Sequence, residues 1–315
     1  NLSVRSSFGV RSSISPPPRS TSAILGHPIA LSRQTRITAQ ACANLTGRYG
    51  SPVLRKNIPL NWEETDMLEG KHAIVTGGGT GIGLAIANAL ADAGAQVTIT
   101  GRRREVLEDV AGPNMFVLPM DVSDEASVRD GMASAVAARG PIQICVANAG
   151  IAEGRKLQKT SSEFWRKIMA TNLDGCFYTV RESLESMTTT DWGRVIAVSS
   201  IAGLRGAPGA GAYSASKHGV IGMMRSFAED FLGGPITFNS ICPGYVDTPI
   251  VTRNTDAISK RAGVSEEEAR NMMINMNRHK RLISPEEVAA AALWLCNPVT
   301  ESVNGTEIRI AGGQL

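Results

Sequence analysis

The stretch AIVTGGGTGIG, residues 73–83, decides the fold of this chain. An apolar run, Ala73–Thr76, leads into residues 77–83, which contain five glycines in seven positions. Glycine permits the backbone angles of a tight turn and leaves room for a phosphate to approach backbone N–H groups. A helix that begins at Gly83 would add N–H donors and a partial positive charge. The stretch therefore predicts a strand, a phosphate-binding loop and a helix, in that order.

The chain from Gly70 onward repeats this alternation of strand and helix. Strand-like runs occupy Ala73–Thr76, Gln96–Thr100, Met115–Pro119, Ile142–Ala147, Arg194–Ser199, Thr237–Ile241 and Glu307–Ile310. Apolar residues at three- and four-residue spacing predict helices over Gly83–Ala93, Ala126–Ala138, Ser161–Ser186, Ala212–Leu232 and Pro285–Cys296. The alternation predicts an α/β fold in one domain over residues 66–315: a single Rossmann-type doubly wound parallel sheet with helices on both faces. Ligands of such a sheet bind beyond the carboxyl ends of its strands.

Charge is distributed unevenly along the chain. The formal net charge is +3, but residues 1–62 contain eight basic side chains and no Asp or Glu, which leaves 24 basic and 29 acidic residues in 63–315. A slightly acidic globular part argues against nucleic-acid binding, which uses a basic surface. No run approaches the roughly 18 apolar residues of a membrane helix. We therefore predict neither a nucleic acid nor a membrane as a partner.

Residues 1–62 differ in kind from the predicted domain. They are rich in Ser, Arg and Thr, contain the run Pro16–Pro18, and show no sustained helical or strand period. This composition is typical of an organelle transit peptide, and a disordered extension is the alternative. A transit peptide predicts a mitochondrial or plastid location, whereas the alternative predicts a cytoplasmic one.

The cysteines and histidines form no recognisable disulfide or metal pattern. The five cysteines lie far apart without a Cys-x-x-Cys pair, and the four histidines are equally scattered. This spacing predicts reduced cysteines and no metal site.

The glycine spacing of residues 76–83, Thr-Gly-x-x-x-Gly-x-Gly, resembles the cofactor loop of the short-chain dehydrogenase/reductase family. Other motifs of that family follow in order: Asp121-Val122, Asn148-Ala149-Gly150, Thr171-Asn172, Ser200, Tyr213-x-x-x-Lys217 and Pro243-Gly244. The resemblance covers residues 70–315 in a single register and extends to 3-oxoacyl carrier-protein reductases and 3-hydroxybutyrate dehydrogenases. It implies an NAD(P)-dependent oxidoreductase that transfers hydride between a nicotinamide and a carbonyl or secondary alcohol.

The resemblance also implies which residues bind the cofactor. The implied pyrophosphate loop comprises Thr76, Gly77, Gly79, Thr80, Gly81, Ile82 and Gly83. The implied loop over the cofactor comprises Asn148, Ala149 and Gly150, and the implied nicotinamide contacts are Pro243, Gly244, Val246 and Thr248. Asp121 is implied to bind the adenine amino group, with Val122 flanking the ring. A helix cap is the alternative role for Asp121.

The end of the second predicted strand bears on the choice between NADP and NAD. An acidic side chain there binds the ribose hydroxyls of NAD, whereas Arg accommodates the 2′-phosphate of NADP. The strand here ends in Gly101 followed by Arg102 and Arg103, with no Asp or Glu. NADP(H) is therefore favoured, with Arg102 as the principal contact and Arg103 second. The alternative is a solvated start to a surface helix, and NAD(H) stays open because Thr80 stands where many NADP-dependent members carry a second basic residue.

Tyr213 and Lys217 form the predicted acid/base pair. They are four residues apart in a predicted helix, so they lie on one face, one turn apart. A nearby cation favours the phenolate, so Lys217 is expected to lower the pKa of Tyr213 towards the working pH. The resemblance adds a bond from Lys217 to the nicotinamide ribose.

Two more residues complete the implied catalytic set. Ser200 lies thirteen residues before Tyr213 and is implied to orient the substrate oxygen, in preference to Ser199. Asn172 is implied to hold a water chain from Lys217 to solvent. A helix-interior asparagine with a local backbone bond is the alternative.

The stretch 249–282 is the implied substrate-specificity region. It contains Met272, Met273 and Met276, and it ends in the basic run 278–281. A flexible apolar wall suits an acyl chain, and the basic run suits coenzyme A phosphates or an acyl carrier protein. A 3-oxoacyl thioester is therefore favoured as the substrate, and core methionines with a solvated helix end are the alternative.

Other functions share part of these motifs. A 3-hydroxybutyrate, sugar or steroid dehydrogenase of the same family would carry the same catalytic set. A non-catalytic NADP-binding scaffold would have little reason to keep all four predicted catalytic residues. By family analogy we expect a homo-oligomer, a tetramer built through long helices such as Ser161–Ser186 and Ala212–Leu232.

Overall fold

The computed structural model describes residues 67–314, so the predicted amino-terminal extension lies outside the described part of the chain. Among the described residues, no helix combines the length and apolar character needed to cross a membrane. In the same range, no group of three or more His, Cys, Asp or Glu side chains is placed to hold a metal ion. The four cysteines of this range are free and buried.

Seven parallel strands form one sheet. They are β1 (His72–Thr76), β2 (Gln96–Gly101), β3 (Met115–Pro119), β4 (Ile144–Ala147), β5 (Gly193–Val198), β6 (Ile236–Pro243) and β7 (Glu307–Ile310). Their order across the sheet is β3-β2-β1-β4-β5-β6-β7. This arrangement confirms the predicted doubly wound sheet, and each predicted strand agrees with an observed one to within two residues.

Nine α-helices connect and cover the strands within residues 67–314. They are α1 (Gly81–Asp92), α2 (Arg104–Glu108), α3 (Glu125–Arg139), α4 (Ser162–Met169), α5 (Gly175–Met187), α6 (Gly211–Asp230), α7 (Pro249–Ala262), α8 (Glu266–Met276) and α9 (Pro285–Leu295). The sequence patterns do not predict α2, α7 and α8. The helix predicted over Ser161–Ser186 is divided into α4 and α5 by a π-helical turn, Ala170–Asp174.

The two faces of the sheet bury different helices. On β1, Val75 packs into a cluster with α1 and α9, whereas its neighbour Ile74 packs into a second cluster with α3, α5 and α6. Successive side chains of a strand point to opposite faces, so each buried strand must be apolar on both sides. This explains why the strands read as continuous apolar runs.

The site-forming edge follows from the strand order. The chain runs from β1 outward to β2 and β3, and then crosses to β4 on the other side of β1. The loops that leave β1 and β4 therefore diverge and open a crevice at the carboxyl ends of these two strands.

Candidate active site

The loop after β1 requires glycine at identifiable positions. Gly77 and Gly81 have φ angles of +66° and +54°, in the left-handed region that other residues avoid. Gly83 is in the first turn of α1, where a Cβ would overlap the carbonyl oxygen of Gly77 and the side-chain amide nitrogen of Asn148. Glycine at this position lets α1 pack directly against the loop.

Thr76 and Asn148 tie this loop to β4. The Thr76 hydroxyl accepts hydrogen bonds from the backbone N–H groups of Asn148 (3.0 Å) and Ala149 (3.1 Å). The Asn148 side-chain amide donates to the Thr76 carbonyl oxygen at 2.9 Å. These bonds fix the ends of β1 and β4 relative to each other.

The start of α1 is suited to an anion. Thr80 precedes the helix without a side-chain capping bond, and the first turn contains no acidic side chain. The first backbone N–H groups of a helix have no partner within it, so a pyrophosphate can accept from them. Ile82 packs against the cluster beneath and anchors the turn. The glycine cradle and the uncapped helix start together fit a dinucleotide.

A cleft extends from the glycine loop to the ends of β2 and β3. It is lined by Gly77, Gly79, Thr80, Thr100, Gly101, Arg102, Arg103, Val106, Leu107, Met120, Asp121, Val122, Ala149, Gly150, Ile151 and Thr171. The lining includes nine of the predicted cofactor-binding residues, those of the glycine loop, the ends of β2 and β3, and the loop after β4. The predicted nicotinamide contacts after β6 are not part of this lining.

The two arginines after β2 lie at the rim of this cleft. Arg102 and Arg103 are both exposed, and Arg103 is also the residue that precedes α2. The two interpretations of this stretch are therefore compatible, because a helix start and a cleft rim coincide. Arg104 lies outside the lining and pairs with Glu108 at 3.3 Å.

Asp121 does not cap the helix that follows it. Its Oδ1 accepts hydrogen bonds from the Ser123 backbone N–H (3.0 Å) and hydroxyl (2.7 Å). The capping residue of α3 is Asp124, which accepts from the Ala126 N–H at 3.0 Å. The capping alternative for Asp121 is therefore wrong, and Asp121 lines the cleft together with the buried Val122.

Tyr213 and Lys217 lie one turn apart on α6, as their spacing predicts. The Lys217 ammonium nitrogen is 5.9 Å from the centroid of the Tyr213 ring and donates to the Val198 carbonyl oxygen at 2.8 Å. The Lys217 side chain is 5% exposed, whereas Tyr213 is half-buried. The pair thus stands beside the end of β5.

The expected direction of the Tyr213 pKa shift is wrong for this structure. Burial raises the pKa of Tyr213, and hydrogen bonding from the neighbouring Ser200 hydroxyl opposes it more weakly. Burial also lowers the pKa of Lys217 to about 8. Enclosure penalises the charged form of both groups, and it is the largest contribution to each shift.

The structure distinguishes the two serines after β5. Ser199 is buried, and its hydroxyl donates to the Lys217 carbonyl oxygen at 3.0 Å, so it supports α6. Ser200 is half-exposed and lies close enough to hydrogen-bond the Tyr213 phenol. This placement agrees with the choice of Ser200 as the substrate-orienting serine.

Asn172 lies in the π turn, and its side chain makes no local bond. Its amide accepts from the Ile151 N–H (2.8 Å) and donates to the Ile151 carbonyl oxygen (3.0 Å). The alternative of a local backbone bond is therefore wrong. A Cβ at Gly150 would lie 3.2 Å from the Asn172 Oδ1 and 3.5 Å from the Lys217 ammonium, so both groups border the same small space at the inner end of the cleft. π turns are often found at functional sites.

Ser216 belongs to the hydrogen-bond network between Asn172 and Tyr213, and the sequence patterns do not identify it. Its buried hydroxyl donates to the Tyr213 carbonyl oxygen at 2.7 Å and accepts from the Asn172 amide at 3.2 Å. It therefore links the π turn to the helix that carries Tyr213. A serine inside a helix commonly bonds to the preceding turn, so the sequence offers no signal for this role.

The turn after β6 carries the predicted nicotinamide contacts. Pro243 is the last residue of β6, and Gly244 donates its N–H to the Ile310 carbonyl oxygen at 2.9 Å. Val246 is buried, and a Cβ at Gly81 would lie 3.0 Å from the Thr248 methyl group. Thr248 thus faces the glycine loop across the crevice.

Cys242, just before this turn, is fully buried. Burial raises the pKa of its thiol to about 11. The thiolate form is scarce at neutral pH, so Cys242 is a small buried residue rather than a nucleophile.

The methionines and basic residues of the substrate region have mixed environments. Met273 is 3% exposed, whereas Met272 and Met276 are 49% and 44% exposed. Arg281 forms two bonds to the Glu287 carboxylate at 2.6 and 2.7 Å. One methionine is thus core and one basic residue is neutralised, so both interpretations of this region are right in part.

Comparisons with known proteins agree with this geometry. Residues 71–259 match the family model described as short chain dehydrogenase. D-beta-hydroxybutyrate dehydrogenase of Rhizobium meliloti is 35% identical over 252 residues, 77% of this chain and 98% of that protein. A 3-oxoacyl-(acyl-carrier-protein) reductase of Aquifex aeolicus is 32% identical over 253 residues, 78% of this chain and 98% of that protein. A solved structure, an actinorhodin polyketide ketoreductase variant with NADPH, superposes with a TM-score of 0.75 at 31% identity, covering 78% of this chain and 97% of that one.

A doubly wound parallel sheet with a glycine cradle at its switch point defines a dinucleotide-binding protein. The family match spans more than half of the described chain, and relatives are similar over nearly their whole length. The chain belongs to the short-chain dehydrogenase/reductase family. It is therefore an oxidoreductase that uses a nicotinamide cofactor to interconvert a carbonyl and an alcohol.

Proposed function

We propose that this enzyme reduces a 3-oxoacyl thioester with NADPH, using Ser200, Tyr213, Lys217 and Asn172 as its catalytic residues. The observation that supports this reaction is that the Ser200 hydroxyl lies within hydrogen-bonding distance of the Tyr213 phenol, with Lys217 one helical turn away. The bound nicotinamide supplies or accepts the hydride. The remaining chemistry is the movement of one proton at the substrate oxygen.

Tyr213 acts as the general acid in reduction. The raised pKa of its phenol keeps the proton on the oxygen until the carbonyl develops negative charge. Ser200 donates a hydrogen bond to the same oxygen and holds it in line with the phenol.

Lys217 and Asn172 support this transfer. Lys217 has a pKa of about 8, so it is largely cationic at neutral pH and favours the phenolate that remains after the proton leaves. Asn172 fixes the backbone of Ile151 at the inner end of the cleft, where a water chain from Lys217 would begin.

The substrate class is supported by the relatives and by α8. The Aquifex relative is named a 3-oxoacyl-(acyl-carrier-protein) reductase. Met272 and Met276 are four residues apart on α8, so they share a face and offer about half of each side chain to an apolar ligand. The second candidate is oxidation of free 3-hydroxybutyrate, which the name of the Rhizobium relative favours.

Acetoacetyl-coenzyme A, free acetoacetate and a simple cyclic ketone, each assayed with NADPH, test the substrate proposal. We expect kcat/KM to be highest for the thioester, by about tenfold or more, which corresponds to about 1.4 kcal/mol of additional transition-state binding. A preference for free acetoacetate would favour the second candidate. A preference for the cyclic ketone would contradict both.

The preference for NADP(H) is also a proposal. It is supported by two exposed guanidiniums at the rim of the cleft, Arg102 and Arg103. Arg forms charge-assisted bonds with a phosphate, so these groups favour the 2′-phosphate. The related ketoreductase structure contains NADPH, which is consistent with this choice.

Arg102→Asp is expected to lower the ratio of kcat/KM for NADPH to that for NADH by at least about tenfold, because a carboxylate repels the 2′-phosphate and accepts from ribose hydroxyls. Steady-state kinetics with both cofactors measure this ratio. Arg104→Gln is the matched control, since Arg104 lies next to Arg103 but outside the cleft lining. An unchanged ratio in the Arg102 variant, or an equal change in the control, would refute the assignment.

A further inference from the structure

Asn277 is a fully buried polar residue that the proposed mechanism does not use. It follows the last residue of α8, and its side chain is 0% exposed. Its amide accepts from the Tyr245 backbone N–H at 3.1 Å and donates to the Tyr245 carbonyl oxygen at 2.9 Å. The same amide donates to the Arg281 carbonyl oxygen at 2.8 Å. One side chain therefore holds both polar groups of the Tyr245 backbone.

The segment that follows Asn277 continues this attachment. Ile283 donates its N–H to the Tyr245 carbonyl oxygen at 2.9 Å and accepts from the Asp247 N–H at 2.8 Å. Val246 lies between these bonds in a parallel bridge with Ile283. Residues 245–247 of the loop 244–248 are thus joined to Asn277 and Ile283, and Asn277 forms the first of these contacts.

This pairing closes the base of the substrate region. The substrate region contains α7 and α8. Thr248 is the residue before α7, and Asn277 is the residue after α8. The bonds of Asn277 bring these two ends together. A change at Asn277 therefore acts on the loop after β6, although it lies almost thirty residues farther along the chain.

The chemistry at this position requires a carboxamide. The three bonds use one acceptor and both N–H donors of the amide. A carboxylate of the same size cannot donate, so it would face two carbonyl oxygens. Gly244 contributes by its small size, since a Cβ there would lie 2.8 Å from the Asn277 Oδ1.

We propose that Asn277 is a positioning residue that holds the loop 244–248 in the conformation that receives the nicotinamide. This inference rests on the proposed function, because it takes Val246 and Thr248 as the nicotinamide contacts. The proposed contacts of the adenosine end, Arg102 and Asp121, line a cleft that includes neither Asn277 nor the loop 244–248. Asn277 therefore affects binding of the nicotinamide half alone.

Asn277→Asp tests this selectivity by equilibrium binding. Dissociation constants are measured by calorimetry for NADPH and for 2′-phospho-ADP-ribose, the same molecule without the nicotinamide ring. We expect the variant to bind NADPH at least about tenfold more weakly and the fragment with unchanged affinity. In kinetics, KM for NADPH rises and kcat falls.

Asn239→Asp is the matched control. Asn239 is 1% exposed, donates to the Val303 carbonyl oxygen at 2.7 Å and accepts from the Thr306 N–H at 3.2 Å. It is also a buried amide that joins β6 to a later segment, but it lies away from the crevice. Its loss should lower the melting temperature without a selective effect on NADPH. Equal weakening of both ligands in the Asn277 variant, or no weakening, would show a merely structural role.

A second variant decides the matter if Asn277→Asp does not fold. Asn277→Ser removes the amide's contacts with Tyr245 and Arg281 without placing a charge opposite their carbonyl oxygens. It should produce the same selective loss of NADPH affinity, and a loss shared by the fragment would overturn the proposal. If the unmodified enzyme bound NADPH no more tightly than the fragment, the proposed nicotinamide placement would fail instead.

Discussion

Replacement of Tyr213 by Phe is expected to reduce kcat by about 10²- to 10⁴-fold while the dissociation constant for NADPH changes little. The substitution removes one oxygen and keeps the ring that packs beside Lys217. The glycine loop and the arginine rim that favour the cofactor are untouched. Single-turnover reduction and NADPH titration of the same preparation measure the two quantities.

Tyr178→Phe provides the comparison. Tyr178 is a partly buried tyrosine that packs against the core cluster beneath α5, outside the cleft lining. Its variant should keep full activity. Retention of most of the turnover by the Tyr213 variant would exclude the proton-transfer mechanism, and an inactive unmodified enzyme with every carbonyl substrate would favour a cofactor-binding scaffold.

Gly83→Ala should abolish measurable cofactor binding and lower the free energy of unfolding by about 1–3 kcal/mol. The added methyl group would occupy the space of the Gly77 carbonyl oxygen and the Asn148 amide. The first is a backbone atom, and the second is a side-chain amide that its hydrogen bond to the Thr76 carbonyl oxygen holds in place, so α1 must move away from the loop. The backbone donors at the helix start would then be displaced from the pyrophosphate. Calorimetry with NADPH and thermal unfolding measure the two effects.

Gly222→Ala is the corresponding control in a helix. Gly222 is exposed on α6, and a Cβ there meets no atom within 4 Å. The change should raise stability by about 0.5–1 kcal/mol, because alanine favours a helix over glycine. Normal cofactor affinity in Gly83→Ala would show that the close approach of α1 is not needed for binding.

The sequence predicts the strands and the glycine-rich turn after β1 well because both depend on local physical requirements. Buried parallel strands must be apolar on both faces, so runs such as Ala73–Thr76 stand out. A glycine-rich turn between a strand and a helix indicates a phosphate cradle when it lies in a chain of alternating strands and helices. Gly77, Arg102 and Asp121 line the same cleft.

Other features depend on contacts between distant segments and leave no local pattern. The π turn at Ala170–Asp174 is only five residues long. Over so short a stretch, the spacing of apolar residues does not distinguish a π turn from the α-helices on either side. Asn277 resembles any polar residue after a helix until its partner Tyr245 is located 32 positions earlier. Helix α8 begins with three consecutive glutamates, so its first turn lacks the apolar spacing by which a helix is predicted.

The pKa of Tyr213 could not be predicted from spacing alone. The four-residue interval correctly places Lys217 one turn away, but it contains no information on how deeply the pair is enclosed. Burial determines the direction of each pKa shift, because it disfavours the charged form of a group. It therefore raises the pKa of the phenol and lowers that of the ammonium.

The enclosure of Lys217 has a cost for the protein as a whole. Its pKa is about 8 in the folded chain, whereas an unfolded chain would titrate near 10.5. Below pH 8 the native state must therefore confine a cation that water would solvate better, at a penalty of about 3 kcal/mol. This penalty disappears progressively as the solution becomes more alkaline, from pH 8 to about 10.5. Selection for stability alone would favour the loss of this amine. Its presence therefore reflects a trade-off between the stability of the fold and catalytic activity.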